Sequence, residues 1–337
     1  MRFAPAPAFK TIDTVVTEKP LLPATSRMVT ITLCVWQHKS VKSQLKQLTA
    51  NRLQSRLSVI VTFHRRNCMG DFGKQIRLRR ILRPDRGTLV IAFDHALVLG
   101  PIAGTLEPTR QVRRFLESKP DALLLSMGGV RHFAKALSSE HVPGLILRLD
   151  WTTGFNDAAK TSPNGFQTCL VAHPEDALRA GADAVITFFF LGSGDPEFEK
   201  KEIQRVGELA RECDRCGIPL IVESIARGAQ VENPRDPKWL MLHTRVAAEL
   251  GADVIKTENA QTVETMSEVV RACPIPILVL GGTRTGSDEE VLGVVRAIVQ
   301  SGASGVFFGR NIFQAENMPE LLKRVRLELG SARPKES

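Results

Sequence analysis

The chain contains no tyrosine, so it has no phenol to serve as a proton donor or acceptor. It also has no apolar run close to the roughly 20 residues of a membrane-spanning helix. The longest early candidate, Met28 to Trp36, is short and broken by threonines. Its start lacks the ordered basic region, apolar core and small-residue cleavage site of a secretory signal, so the expected location is cytoplasmic, with no membrane partner. Cysteine is scarce, with six in 337 residues, which fits reduced thiols rather than a disulfide framework. Cys213 and Cys216 form a C-x-x-C pair, but inside a predicted helix (Glu202 to Gly217) and without a second pair at zinc-site spacing. They read as incidental helix residues. No concentrated His/Cys signature is present, and no metal is expected.

Positive charge is in excess, but only at one end. The formal charge is +9, and residues 1–68 hold 11 Lys and Arg against two acids, Asp13 and Glu18. Residues 69–337 hold 34 of each sign and are neutral. The basic balance therefore says nothing about a groove in the body, and no nucleic-acid partner is expected. Residues 1–27 carry several prolines without periodicity and read as disordered. Residues 28–63 show apolar patches but no strand or helix that finds a partner. Three readings of this extension stay open: an organelle-type transit sequence, a flexible arm for an anionic surface, or an upstream stretch before a true start at Met69. The third is favoured, because a compact, charge-balanced sequence begins at Met69-Gly70-Asp71-Phe72. The expected organisation is a basic extension, 1–68, and a single folded body, 69–337.

From residue 88 the body alternates short apolar runs with longer amphipathic stretches. Strands are predicted at Thr88–His95, Asp121–Ser126, Gly144–Asp150, Ala184–Leu191, Pro219–Ser224, Asp253–Glu258, Pro276–Gly282 and Gly305–Asn311. Each is rich in Val, Ile, Leu or Phe, as parallel strands covered on both faces are. Helices are predicted between them, among them Glu202–Arg215, Trp239–Leu250, Val263–Ala272 and Glu289–Ser301, with a closing helix at Pro319–Leu329. A weak repeat punctuates the pattern: Gly181-Ala182-Asp183, Gly251-Ala252-Asp253 and Gly302-Ala303-Ser304 each end a helix with a glycine cap before a strand. Eight such units predict an α/β fold, a closed (β/α)₈ TIM barrel. An open doubly wound sheet is the alternative, but no G-x-G-x-x-G follows the first strand.

In such a barrel the chemistry lies where strands end. The strand ends bring forward Asp94-His95, Ser126, Asp150-Trp151, Glu223-Ser224, Lys256, Gly281-Gly282 and Gly309-Arg310-Asn311. Lys256 lies in a buried strand and by alternation shares a face with Val254 and Glu258. A buried ammonium is costly unless paired or deprotonated, and a neutral amine can form a Schiff base with a carbonyl. The competing reading is a strand-end lysine that reaches water and pairs with Glu258. Gly281, Gly282 and Gly309 let backbone approach an anion closely, and Arg310 can grip two phosphate oxygens, at the usual phosphate site of this fold. Ordinary turns with a surface arginine are the alternative there. His95 reads equally as a structural or a catalytic residue.

From Gly70 to about Gly330 the sequence resembles the bacterial and archaeal class I aldolases. That family includes archaeal-type fructose-bisphosphate aldolase, aminodideoxyheptulosonate synthase and the thiolase that breaks down phosphorylated autoinducer-2. The resemblance is carried by Phe72-Gly73-Lys74-Gln75-Ile76-Arg77-Leu78, Phe93-Asp94-His95, Val254-Ile255-Lys256-Thr257, Gly281-Gly282 and, most specifically, Gly305-Val306-Phe307-Phe308-Gly309-Arg310-Asn311-Ile312-Phe313. It implies that Lys256 is the Schiff-base lysine, that Asp94 is the acid at the end of the first strand, and that Gly281, Gly282, Gly309 and Arg310 hold phosphate. It also implies a metal-independent lyase without a cofactor, acting on a phosphorylated ketose, and a homo-oligomer.

One departure stands out. The sugar-phosphate aldolases of that family carry a tyrosine after the fifth strand, where this chain has Ile225-Ala226-Arg227-Gly228. Asp94, His95 and Glu223 are the candidates for the missing acid/base work. Because the thiolase branch also lacks the tyrosine, acyl transfer to coenzyme A as co-substrate is the alternative. A barrel that binds sugar phosphates without turnover is a third.

Overall fold

The computed structural model describes residues 15–18, 29–32, 69–138, 142–155, 166–284 and 286–330. The chain divides into two units, Met1–Cys68 and Met69–Ser337. In the first, strands Val15–Glu18 and Val29–Thr32 pair antiparallel, with Val15 opposite Thr32. The sequence reading expects no paired strand there. Both runs are made largely of β-branched residues, which favour strands, but four residues are too few to display an alternation. The rest of residues 1–68, and with it most of the expected disorder, lies outside the described residues.

The second unit is a closed barrel of eight parallel strands, as its pattern predicts. They are β1 (Thr88–Ala92), β2 (Ala122–Ser126), β3 (Gly144–Arg148), β4 (Ala184–Leu191), β5 (Leu220–Ala226), β6 (Val254–Thr257), β7 (Ile277–Leu280) and β8 (Gly305–Phe308). Each pairs with its neighbours in sequence, and β8 closes on β1 with Gly305 opposite Thr88. Most strands are shorter than predicted because their last residues turn away to build the mouth, while β5 runs on to Ala226. Asp150 lies beyond β3 in a small antiparallel hairpin, Asp150–Thr152 with Thr168–Leu170. Its strands are too short for the sequence to reveal. Arg310 and Asn311, expected at the end of β8, instead open a short helix, Arg310–Phe313.

The helices start and stop for local reasons. Asp195 begins the helix Pro196–Cys216 by accepting from the backbone N–H groups of Glu197 (3.0 Å) and Phe198 (3.3 Å), ahead of a proline that needs no partner for its missing N–H. Ser287 does the same for Asp288–Gln300 through Glu290. The three repeat glycines, Gly181, Gly251 and Gly302, all have φ between 83° and 104°. That is the left-handed region, from which a side chain would be repelled.

Two apolar layers follow from strand alternation. Leu89, Ile91, Leu123, Val185, Ile255 and Val306 face outward and pack against the helices. Val90, Leu124, Ile146, Ile221, Val254 and Leu278 face inward and fill the barrel. The helix Met69–Ile81 precedes β1 and closes the lower end, where the fully buried Ile81 joins the inner cluster with Leu78 and Leu82 beside it. Burying an isoleucine in this way contributes about 1.5–3 kcal/mol. The inner cluster is thus covered from below by this helix. Among the described residues no helix is long and apolar enough to cross a membrane.

Candidate active site

The inward alternation that places Val254, Ile221, Ile146 and Ala92 in the apolar plug places the next inward residues, Lys256, Glu223, Arg148 and Asp94, directly above it. All four are buried. Lys256 and Glu223 are register partners across β5 and β6, so their side chains project together, and Lys256 Nζ lies 2.8 Å from Glu223 Oε1. The other oxygen of Glu223 accepts from Arg148, whose Nε donates to Asp94 Oδ2 at 2.8 Å. The Arg148 guanidinium carbon sits 3.8 Å from the centre of the Phe188 ring, and Lys256 Nζ sits 4.6 Å from that of Phe307. Lys256 therefore points into the barrel, as expected. The pairing with Glu258 does not form, because two residues on one strand stand one above the other whereas Glu223 lies alongside.

Charge balance in this layer is set by mutual pairing. Burial works to raise the Glu223 carboxyl, but Lys256 and Arg148 outweigh it and hold it below the usual carboxylate range. Asp94 is likewise opposed by burial and held low by Arg148 and Lys256. Burial also opposes the charge on Arg148, yet Glu223, Asp94 and Asp150 keep it firmly protonated. Asp150 differs: it is fully buried, and burial prevails over Arg148 and Arg205 to push it up. It accepts from Thr187 Oγ1 and from the Phe188 N–H, each at 2.7 Å. Such a network is expensive to dismember, because a partner left alone keeps its desolvation cost.

Next to Lys256 around the mouth lie the glycine ends of β7 and β8. Asn311 Nδ2 donates to the Gly281 carbonyl at 2.9 Å, and Arg284 donates to the Asn311 carbonyl at 2.7 Å, tying the two ends together. Gly282 has φ 67° and open space where a side chain would begin. Gly309 is required for another reason: a Cβ there would lie 2.2 Å from Cε1 of His95. The His95 ring packs over that glycine and edge-on to Phe313, with centroids 5.2 Å apart. Burial pulls its pKa down to about 4, aided by Lys256 and Arg310 against Asp94. Its Nδ1 has no hydrogen-bond partner and lies 3.8 Å from Asp94 Oδ1. Arg310 is half-buried with Nε unpartnered, and burial lowers its pKa.

These groups line one cavity of about 400 Å³, which brings together Lys256, Asp94, His95, Glu223, Gly281, Gly282, Gly309 and Arg310, the residues given catalytic or phosphate-binding roles from the sequence, while Ser126, Asp150, Trp151, Ser224 and Asn311 from the other strand ends do not line it. Its remaining wall includes Phe155, Phe188, Arg227 and Glu258. Arg148 goes unmarked in the sequence reading, and Glu258 enters it only as a possible partner for Lys256. The signal for Arg148 is present, since it follows Ile146 by two in an apolar strand and must share its inward face. A larger hollow of about 960 Å³ lies at the opposite end, among Arg83, Arg86, Asp121 and Arg326. It contains ion pairs but no lysine buried against a carboxylate, so volume alone does not locate the chemistry. Among the described residues no three His, Cys, Asp or Glu side chains form a metal-ligand cluster.

The chain is similar to known proteins over most of its body. The chain is 31% identical over 245 residues to a 2-amino-4,5-dihydroxy-6-oxo-7-(phosphonooxy)heptanoate synthase of Streptomyces griseus, covering 72% of this chain and 85% of that one. It is 35% identical over 257 residues to a 3-hydroxy-5-phosphonooxypentane-2,4-dione thiolase of an Enterobacter species, covering 76% and 81%. Among solved structures, a Schiff base forming fructose-1,6-bisphosphate aldolase superposes with a TM-score of 0.65 at 25% identity, covering 76% of this chain and 99% of that one. Residues 88–315, from the first residue of β1 to just past the helix that follows β8, match the family model described as DeoC/LacD family aldolase, and the chain belongs to that family.

Proposed function

We propose that this cavity is the active site of a class I aldolase, in which Lys256 forms a Schiff base with the ketone of a phosphorylated substrate and a C–C bond is cleaved or formed. The observation that carries the reading is one buried amine lining a cavity of about 400 Å³ together with Gly281, Gly282, Gly309 and Arg310, which lie at the ends of the two strands that follow β6 around the barrel. The amine is the nucleophile, and Glu223 at 2.8 Å fixes its position in the cavity. Attack on the carbonyl and loss of water give an iminium, which withdraws the electron pair of the adjacent C–C bond. Asp94 and Arg148 hold Glu223 in place and supply the fixed field around the developing charge. The phosphate is held at the glycine ends by backbone and Arg310, so remote binding energy positions the reacting carbon. The related synthase and thiolase are both named for phosphonooxy compounds, which supports such an anchor.

Borohydride added with a panel of ketose phosphates is expected to label the peptide bearing Lys256, and Lys256→Met to lose both label and turnover. A wild-type protein that turns over substrate while Lys256 stays unlabelled would end this proposal. The same panel with and without coenzyme A separates the second reading, acyl transfer in the manner of the thiolase relative. That reading is favoured by the absence of tyrosine and by the 35% identity, and it requires turnover to depend on coenzyme A.

A further inference from the structure

Cleavage next to an iminium needs a group that removes a hydroxyl proton and later returns one to carbon, and this chain has no phenol to do it. Four titratable candidates other than the nucleophile line the cavity. Glu223 has both oxygens engaged, one by Lys256 and one by Arg148, and is held ionised. Asp94 is bonded to Arg148 and held ionised in the same way. A carboxylate fixed by two cations is a poor base. His95 stays neutral down to a pKa of about 4 and packs against Gly309 and Phe313, so it is also a weak base.

Glu258 is different. It follows Lys256 by two residues and shares its face of β6, one step nearer the mouth. Its Oε2 is buried and without a hydrogen-bond partner. Arg227 lines the same cavity but spends its hydrogen bond on the Gly154 carbonyl and stacks on Phe155 at 4.7 Å. The backbone immediately after Glu258 is clamped from outside: Arg235 Nε donates to the Asn259 carbonyl at 2.7 Å, and its NH2 donates to the Ala260 carbonyl at 3.0 Å. The backbone next to the carboxyl is thus held, close to the nucleophile's strand position, and among the described residues the carboxyl has no ion pair of its own.

We propose that Glu258 is the proton-transfer residue of this cavity, working one level above Lys256. The proposal rests on the Schiff-base reading. In the cleavage direction the Glu258 carboxylate takes the hydroxyl proton of the substrate. The C–O bond becomes a carbonyl, the C–C bond breaks, and its electron pair moves to the iminium nitrogen to give an enamine. The Glu258 carboxylic acid then returns the same proton to the enamine carbon. The restored iminium takes up water, releasing the ketone and the free amine of Lys256. Burial, which pushes the Glu258 carboxyl up despite Arg227 and Arg235, suits a group that must hold a proton between two steps.

The test uses dihydroxyacetone phosphate, the smallest phosphorylated hydroxyketone, in D₂O. Imine formation is read by borohydride trapping and mass spectrometry, and proton transfer by NMR of deuterium entering the carbon next to the carbonyl. Glu258→Gln is expected to trap on Lys256 as fully as wild type, which shows an intact pocket, while exchange falls about 10²- to 10⁴-fold. Its exchange is also expected to lose the rise with pH that wild type shows as the carboxyl ionises. Glu258→Asp is expected to recover part of the rate. Exchange in Glu258→Gln within about threefold of wild type, with trapping intact, would overturn the role of Glu258 and leave the Schiff base standing. Absence of trapping in wild type would overturn the Schiff-base reading, and the role assigned to Glu258 with it.

Discussion

The two ends of the barrel both gather arginine around buried carboxylates, and they use them in opposite ways. At the lower end Asp121 accepts from Arg83 Nε at 2.9 Å, from Arg86 NH2 at 2.6 Å and from Arg326 NH1 at 3.2 Å. It also accepts from the Leu89 backbone N–H at 2.9 Å. Those arginine side chains are 24–38% exposed, so each keeps part of its hydration. At the mouth, Glu223 and Asp94 share Arg148, which is 1% exposed, and their other neighbour is a lysine facing the cavity. The lower cluster fastens a helix and a closing segment to the start of a strand. The upper one keeps charges dry beside a space where a ligand can replace a partner. The lesson is that a pairing pattern alone does not mark function; what matters is whether the pair is wet, and whether it faces protein or cavity.

That contrast can be tested by removing its members. Arg148→Met is expected to cost about 3–5 kcal/mol in denaturant unfolding, because Asp94 and Glu223 lose a shared buried partner. Asp121→Asn is expected to cost about 1–3 kcal/mol and to leave turnover unchanged, since its arginines can return to water. Equal costs for the two would remove the distinction.

Acid should separate the ends as well. His95 has a folded pKa of about 4 against an ordinary value of 6.5, so between those values the unfolded chain binds a proton that the folded ring refuses. Stability is therefore full above about pH 6.5 and is lost as pH falls toward 4, by about 3 kcal/mol from this residue. His243, buried on the outer face with Nδ1 2.8 Å from Ser224 Oγ, is pulled down to about 3 by burial and adds a loss of the same sign. Among the described residues the lower cavity has no histidine in its wall. His95→Gln should flatten the slope of stability against pH by its own share; an unchanged slope would show that His95 takes up its proton without cost.

The smallest expected effect concerns the anion wall. Arg310→Gln should raise KM for a phosphorylated ketone about 10- to 100-fold with kcat little changed, and should leave an unphosphorylated analogue unaffected. A similar loss with both substrates would move the phosphate elsewhere.

Much of this was open to reading. Eight apolar runs separated by amphipathic stretches leave little choice but a closed parallel barrel, because such strands must be covered on both faces. Alternation by two then places Val254 and Lys256, or Ile221 and Glu223, on one inward face. What stayed hidden depended on neighbours in space. Glu258 is the near carboxylate of Lys256 in the sequence, yet Glu223 is its partner, because the β5–β6 register sets them side by side. Arg148 looks like an ordinary strand-end arginine until four strands bring Asp94, Glu223 and Asp150 around it.

The sequence by itself determined the barrel, the face that Lys256 shares with Val254 and the glycine ends, since these follow from periodicity and backbone sterics. Only the tertiary structure decided which charges pair, which histidine stays neutral and which carboxyl is left alone. Those outcomes are set by desolvation and by distances between residues far apart in the chain, and no local pattern records them.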